Sequence, residues 1–440
     1  MTEQTSPAPV TGPHGGFTAV RAKAQRSAWR AWPAMAVYLV VRLVGTLVFG
    51  ILSSGHGYAA RGMFVFVDSG WYQKIAERGY DTKISPALSP FAFDPLYPAL
   101  MALGHAVTGG LVSVTAVGLT VTWVAAVACS WALFELGRLL RDARTGLIFA
   151  ALWALMPSAV IQGALYADTL AICLTAWALY ALLRRAWLTA GVLACLAGAT
   201  RPTADAVVLT VCLTAVVEFV RARRQAQGQL QEQAHEQREG QQGLRDLQGQ
   251  QGQEQQGHQH GQELQRRGGI GWRPWVAAII APIGAIGFLA YVSYRMGSIS
   301  GYMKAQKKWG TGFGNASQVL HRIKLGIEGT HSGYNNGQAH ITTAVLLIVP
   351  ILIIVMLVQR QRWELTFYTI VVAAIIYTAI HDYSVVPREI LAAFPILLAP
   401  AGWLAKVKHQ WIVWLLIAIL AVAAGWYACF IPVDGGAGFP

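Results

Sequence analysis

A few acidic side chains stand at the edges of apolar segments, and these residues have the types that could do chemistry. Asp68 and Asp94 share one polar segment, and Asp168 follows Tyr166 at the start of an apolar segment. A carboxylate beside hydrocarbon is costly and is more often functional than incidental. Such a group can act as a general base that removes a proton from an acceptor hydroxyl. For Asp68 taken alone, an ordinary helix cap explains the residue equally well.

Two arginines occupy similar edge positions, and each has a proline beside it. Arg201 precedes Pro202, and Arg388 follows Pro387. A guanidinium binds phosphate through parallel hydrogen bonds, so these residues fit a site where a phosphate leaves while a carboxylate accepts a proton. That chemistry is a sugar transfer from a lipid phosphate. Internal ion pairs are the alternative for each arginine, and transporters also place Asp and Arg at gates within the membrane.

The elements that must position these residues are membrane helices. The chain has 440 residues, of which 55% are hydrophobic and only 12% are Asp, Glu, Lys or Arg. This charged share is about half that of a soluble domain, which excludes a soluble multi-domain protein. We predict an all-α polytopic membrane protein of about eleven spans. The predicted spans are 34–52, 111–138, 144–163, 166–183, 186–200, 203–220, 273–294, 341–358, 363–381, 389–405 and 410–430.

The net charge of +13 follows from the predicted topology. Lys and Arg concentrate in the short turns between alternate spans, which is typical of cytoplasmic loops. The pattern predicts a cytoplasmic N-terminus and a cell-membrane protein whose candidate site faces outside. It requires no nucleic-acid partner. The five cysteines lie inside apolar runs and are predicted to be small core residues rather than metal ligands or disulfide partners.

The chain divides into two membrane blocks separated by a glutamine-rich tract. Residues 1–33 are predicted to be a cytoplasmic tail, and 34–220 form the N-terminal block with a long outer loop at 53–110. The tract at 221–272 is predicted to be a disordered cytoplasmic linker. Residues 273–430 form the second block with an outer loop at 295–340, and 431–440 form an outer tail. In the first outer loop, helical spacing from Asp68 to a stop at Gly79 predicts a short amphipathic helix.

Several segments together resemble the PIG-V/Gpi18-like group of polytopic membrane mannosyltransferases. The order and approximate spacing of the segments agree over roughly residues 34–405, outside the glutamine-rich tract. The matching stretches are VDSGWYQKIAERGY at 67–80, FDPLYP at 93–98, YAD at 166–168, TRPT at 200–203, and YMKAQ at 302–306 followed by Trp309. Three positions depart from the group's pattern, namely Val67, Asp94 and Asp168.

The resemblance implies a GT-C type fold and a polyprenyl-phosphate sugar, typically mannose, as the donor. Asp68 would be the catalytic carboxylate, and Asp94 would be a second catalytic acid, a cation ligand or an acceptor contact. Arg201 and Arg388 would bind the donor phosphate. The remaining expected substrate contacts are Trp71, Tyr72, Tyr97, Tyr166, Asp168, Gln306 and Trp309.

Three functions of different classes remain open from the sequence. The first is a polyprenyl-phosphate-dependent glycosyltransferase that inverts the anomeric centre and needs no cofactor beyond its lipid-linked donor, although a divalent cation is compatible with it. Its acceptor would be an envelope glycan, glycolipid or protein, and membrane lipids would surround it. The second is a transporter or flippase of lipid-linked sugars. The third is a non-catalytic membrane subunit.

Overall fold

The computed structural model describes residues 14–54, 64–65, 67–80, 89–247, 271–309, 316–328, 336–378 and 385–433. Within these ranges every regular element is an α-helix or a 3₁₀ turn. Seven helical segments are long and apolar enough to cross a bilayer. The predicted all-α polytopic membrane fold is therefore confirmed.

The α-helices follow one another with short connections in most of the chain. They are α1 His14–Ser54, α2 Val67–Arg78, α3 Leu96–Val107, α4 Val114–Leu140, α5 Ala143–Ala154, α6 Asp168–Leu183, α7 Trp187–Gly198, α8 Asp205–Leu247, α9 Arg273–Ile280, α10 Ile283–Arg295, α11 Gly301–Lys308, α12 Ala316–Glu328, α13 Asn336–Val358, α14 Trp363–Thr378, α15 Val386–Glu389, α16 Leu398–Ala405 and α17 Gln410–Val433. Four 3₁₀ turns lie at Pro90–Ala92, Ala159–Gly163, Pro202–Ala204 and Ile390–Leu397.

The core is built around α4, which packs against α1, α3, α5 and α6. Small residues set the closest approach between α4 and α5. A Cβ atom on Gly137 would lie 2.5 Å from the Gly146 Cα atom, so neither position has room for a side chain. Close backbone approach through small residues is how membrane helices gain packing energy without a hydrophobic driving force.

Three of the eleven predicted spans are shorter helices than the sequence predicted, and a fourth, α14, is described only as far as Thr378. Helices α5 and α7 have 12 residues each, and α6 and α14 have 16 each. At 1.5 Å per residue they extend about 18 to 24 Å, less than the roughly 30 Å of a bilayer core. The predicted spans contain buried 3₁₀ turns and loops beside the helices. These segments are as apolar as a helix, so hydropathy does not distinguish them from one.

The glutamine-rich tract differs from its prediction over part of its length. Helix α8 continues through the predicted linker to Leu247, and residues 248–270 lie outside the described ranges. Gln, Glu, Arg and Ala are good helix formers, so a sequence without apolar periodicity can still extend a helix that the membrane block has already nucleated. The predicted cytoplasmic tail is likewise helical from His14, as the first part of α1.

Both predicted outer loops contain short helices that pack on one another. Helix α2 occupies the predicted amphipathic segment, with Asp68 in its first turn rather than at its cap. Gly79 has a φ of +74°, which is the left-handed conformation that ends many helices and that glycine adopts without strain. Helix α2 contacts α3, and α11 of the second outer loop contacts the 3₁₀ turn Pro90–Ala92.

Candidate active site

Three acids and two arginines from distant parts of the chain form one ion-pair network. Arg388 lies between two carboxylates, with Nη1 2.8 Å from Asp68 Oδ2 and Nε 3.2 Å from Asp168 Oδ1. Arg201 Nη1 lies 3.1 Å from the second oxygen of Asp168, and Arg201 Nη2 lies 3.9 Å from Glu389 Oε1. The structure therefore brings together four residues that the sequence nominated, and it adds Glu389. We call these five residues the outer network.

Breaks between helices place the outer network. Asp168 is the first residue of α6, after an irregular buried segment. Arg201 lies in extended conformation directly before the 3₁₀ turn that begins with Pro202. Arg388 lies in the four-residue helix α15, which also starts with a proline near its first position. Proline is favoured where a helix begins, because its fixed φ suits the helix and its missing N–H is not needed there.

The side chains of the outer network differ in their exposed fraction. The side chains of Arg388 and Asp168 are each 6% exposed, and that of Arg201 is 13% exposed. The Asp68 side chain is 18% exposed. Asp168 has both oxygens engaged by guanidinium groups, whereas Asp68 receives an ion pair on one oxygen. Of the two aspartates, Asp68 is the one better able to meet a ligand.

Tyr166 joins the network on its aromatic side. The Arg388 guanidinium carbon lies 4.6 Å from the Tyr166 ring centroid, a cation–π contact. Asp68 is also among the electrostatic neighbours of the Tyr166 hydroxyl. A single tyrosine thus lies beside both partners of the Asp68 to Arg388 ion pair.

A cluster of buried aromatic rings packs against Tyr72 of α2. Tyr72 is 2% exposed, and its ring makes edge contacts with Phe93, Tyr97 and Tyr166 at centroid distances of 5.1, 5.1 and 6.4 Å. Tyr97 is fully buried, and its hydroxyl donates to the Gly118 carbonyl in α4 at 3.0 Å. These contacts give Tyr72 and Tyr97 a packing role, and the substrate contact that the resemblance implied for them stays a prediction.

The second outer loop lies on the first through polar anchors. Trp309 Nε1 donates to the Ser89 carbonyl at 2.9 Å, and Gln306 Nε2 donates to the Ala92 carbonyl at 3.2 Å. The Trp309 ring also makes an edge contact with Trp71, at a centroid distance of 5.4 Å. Gln306 and Trp309, which the sequence nominated as substrate contacts, therefore attach α11 and its end to the loop that leads into α3.

Asp94 occupies a separate position from Asp68. The Asp94 residue is 6% exposed, and its electrostatic neighbours include Asp205 and Arg201. Burial, together with the nearby Asp205 carboxylate, raises the pKa of Asp94 to about 8, against a smaller lowering by Arg201. Asp94 is therefore largely protonated at neutral pH, and in that form it cannot serve as a base.

Two acids near the site were not among the site residues predicted from the sequence. Glu389 follows Arg388 directly, and Asp205 begins α8, three residues after Pro202. Their adjacency to nominated arginines was the available signal. Among the described residues, no group of three or more His, Cys, Asp or Glu side chains is arranged to hold a metal ion. Three further acids, Asp81, Asp382 and Asp434, lie outside the described residues.

Comparisons with known proteins give matches at the level of structure. No family model and no curated protein sequence matches the chain. The chain is similar to the crystal structure of ArnT from Cupriavidus metallidurans bound to undecaprenyl phosphate, with 15% identity and a TM-score of 0.48, covering 89% of this chain and 63% of that one. It is also similar to the apo oligosaccharyltransferase of Archaeoglobus fulgidus, with 11% identity and a TM-score of 0.47, covering 92% of this chain and 56% of that one. The chain spans less than two thirds of the length of either structure.

Proposed function

We propose that the chain is a membrane glycosyltransferase that moves a sugar from a polyprenyl-phosphate donor to a hydroxyl of an envelope acceptor. The observation that carries the proposal is the position of Asp68. It is the more open aspartate of a buried network that also contains two guanidinium groups. A carboxylate beside fixed cations is the arrangement that proton removal and phosphate departure require together.

Asp68 is the proposed general base. Its Oδ2 atom is held by Arg388 at 2.8 Å, which stabilises the negative charge and fixes the carboxylate plane. The other carboxylate oxygen of Asp68 would take the proton of the acceptor hydroxyl. The hydroxyl oxygen bonds to the anomeric carbon at the same time. The bond between the anomeric carbon and the phosphate oxygen breaks in the same step. A single displacement with one base inverts the anomeric centre, and the resemblance to PIG-V/Gpi18-like enzymes makes mannose the first sugar to test.

Arg201 is the better of the two arginines for holding the donor phosphate. Arg388 is committed to two aspartates at 2.8 and 3.2 Å, whereas Arg201 pairs closely with Asp168 alone and more loosely with Glu389. Within the described chain, the Arg201 Nε atom is buried and makes no hydrogen bond. An incoming phosphate oxygen would satisfy that N–H. Arg388 would then act mainly as a positioning residue for Asp68.

The test is sugar transfer by purified protein supplied with polyprenyl-phosphate-mannose and an envelope acceptor fraction. Asp68→Asn should lower the rate by about 10²- to 10⁴-fold, since this is the usual effect of removing a general base. Glu77→Gln is the matched control, because Glu77 is an exposed acid on the same helix. Transfer at the wild-type rate by Asp68→Asn would exclude Asp68 as the base. Movement of the intact lipid-linked sugar across the bilayer without any transfer would favour the flippase alternative.

A further inference from the structure

One face of α1 carries a polar stripe that the proposed reaction does not use. Tyr38, Arg42 and Thr46 follow one another at intervals of four residues, so they lie above one another on the same side of the helix. Tyr38 is fully buried, and Arg42 is 5% exposed. The Arg42 Nε and the Thr46 hydroxyl are buried and without a hydrogen-bond partner in the described part of the chain, and the polar neighbour of the buried Tyr38 hydroxyl is Arg42.

The end of α5 faces this stripe and adds further polar atoms. The Trp153 ring stacks on Tyr38 at a centroid distance of 5.5 Å, and its indole N–H is buried without a partner among the described residues. Gln162 is fully buried and donates to the Trp153 carbonyl at 2.7 Å. We call Tyr38, Arg42, Thr46, Trp153 and Gln162 the Arg42 cluster.

The Arg42 cluster lies at membrane depth. Arg42 is twelve residues before the end of α1, or about 18 Å along the helix axis, and Trp153 is about 15 Å from the start of α5. Both estimates place the cluster near the middle of a core that is roughly 30 Å thick. The chain after α5 is irregular, and Ser158 has a φ of 58°. Non-helical backbone at this depth is tolerated where protein buries it or where it lines a polar site.

The charge of Arg42 has no counter-ion in the described chain. Its electrostatic partner there is the Tyr38 hydroxyl, and no carboxylate faces it. An isolated buried ion carries a desolvation cost of several kcal/mol, which a paired ion of opposite sign offsets. The outer network shows the ordinary solution, in which each buried arginine has carboxylates beside it. Arg42 has no such carboxylate among the described residues, so a bound anion would stabilise its buried charge.

The donor set of the Arg42 cluster specifies the kind of anion. The Arg42 guanidinium and the Trp153 indole can only donate hydrogen bonds, and the Tyr38 and Thr46 hydroxyls can donate as well. A fork of N–H groups fits two oxygens of one oxyanion, and the flanking donors suit the remaining oxygens. We propose that the Arg42 cluster is an intramembrane oxyanion site that binds a phosphate group, carried by a lipid or free. The proposal is independent of the transfer reaction, because its residues lie outside the outer network.

Thermal unfolding of the purified full chain tests the site with inorganic phosphate as the probe. Sodium phosphate is titrated against sodium chloride at constant ionic strength. We expect phosphate to raise the unfolding temperature of the wild type and of Lys324→Met, an exposed-lysine control. Arg42→Met should lose most of that rise, while its unfolding temperature in chloride stays equal or increases because an uncompensated buried charge is gone. Arg42→Lys, which keeps the charge without the fork, should retain an intermediate rise.

Two outcomes would overturn the proposal. One is a phosphate-dependent rise in Arg42→Met that is more than half that of the wild type. This result would assign the effect to other cations, the outer arginines included. The other is an unfolding temperature of the wild type that falls as phosphate replaces chloride, which would show a halide site rather than a phosphate site.

Nanodiscs distinguish the two sources of the phosphate group. If a lipid supplies it, the wild type is more stable in phosphatidylglycerol than in a phosphate-free galactolipid, it no longer responds to inorganic phosphate in phosphatidylglycerol, and Arg42→Met abolishes the difference. If free phosphate supplies it, the response persists in both lipids. A wild type that responds to neither lipid nor inorganic phosphate overturns the proposal.

Discussion

The outer network and the cluster around Glu135 are both built from acids and arginines, but they leave different partners exposed. Glu135 is fully buried and accepts from Arg138 at 2.7 Å and from Ser27 at 2.6 Å, with Arg30 at 3.7 Å. Arg30 and Arg138 are 56% and 34% exposed. In the outer network both arginines and Asp168 are buried, and Asp68 is the more open aspartate. The Glu135 cluster leaves its guanidinium groups exposed, whereas the outer network leaves part of the Asp68 carboxylate exposed.

This difference separates an anchor from a candidate for chemistry. At the predicted cytoplasmic ends, a buried acid keeps exposed arginines near the helix ends, where positive charge suits the membrane surface. Glu364, which is 2% exposed beside a 48% exposed Arg362, repeats the pattern. In the outer network, buried arginines hold a carboxylate in place and leave part of it accessible. A general base requires that accessibility, whereas an anchor does not.

Removing the shared cation should have the largest effect on stability. Arg388→Met leaves Asp68 and Asp168 close together without the guanidinium that joins them, and breaking a buried pair in this way costs about 3 to 5 kcal/mol. Arg388→Lys keeps one positive charge and should recover part of that loss, because an ammonium cannot hold both aspartates as the fork does. Chemical unfolding in detergent measures both. An Arg388→Met variant as stable as the wild type would contradict the ion-pair account.

Asp94 should make the protein less stable as pH rises, because its carboxyl pKa is higher in the folded protein than in the unfolded chain. Because burial raises the pKa of Asp94 to about 8, the folded protein holds this proton at pH values where the unfolded chain has lost it. The free energy of unfolding should therefore fall as pH rises from about 5 to 8, by at most about 1.4 kcal/mol per pH unit. Asp94→Asn should flatten this fall and be the more stable protein at pH 8. A wild-type profile that rises over this range would contradict the burial of a protonated Asp94.

Glu135→Gln should sharpen the comparison with the outer network. The exposed Arg30 and Arg138 side chains can turn to water when Glu135 is replaced by a neutral glutamine. We therefore expect the free energy of unfolding to fall by about 1.5 to 3 kcal/mol, which is usual for the loss of hydrogen bonds to a charged group. The transfer rate per folded molecule should not change, because Glu135 pairs with Arg30 and Arg138 and is not part of the outer network. The measurement is unfolding together with an active-fraction assay. A large loss of rate with intact folding would remove the distinction between the two regions.

The smallest predicted effect concerns the anchor between the outer loops. Trp309→Phe keeps an aromatic ring beside Trp71 but deletes the hydrogen bond to the Ser89 carbonyl. We expect a stability loss of about 1 kcal/mol and a modest fall in rate. Trp272→Phe is the control, because Trp272 is 61% exposed. Equal behaviour of the two variants would show that the Ser89 contact does not hold the loop.

Much of the site could be predicted because scarce charges at the edges of apolar segments mark it. Asp68, Asp168, Arg201 and Arg388 were nominated from those positions, and the structure joins them in one network. Helix α2 and its stop at Gly79 followed from local spacing and glycine chemistry. These features depend on neighbouring residues in the chain, which a sequence displays directly.

What the sequence did not reveal depends on contacts between distant segments. Hydropathy treats a broken helix and a continuous one alike, so the short helices α5, α6 and α7 were predicted as full spans. The burial of Tyr97 against α4 and the approach of Asp205 to Asp94 each require the fold. The choice between phosphate binding and ion pairing for the arginines was also open, and the structure shows the ion pairs.

The most direct test of the account is a steady-state comparison of Asp68→Asn with Glu135→Gln in purified protein, using polyprenyl-phosphate-mannose as the donor. The account predicts that Asp68→Asn lowers kcat by about 10²- to 10⁴-fold with little change in the KM for the donor. Glu135→Gln should leave both quantities near wild type. A kcat for Asp68→Asn equal to that of Glu135→Gln would contradict the claim that the outer carboxylate does the chemistry.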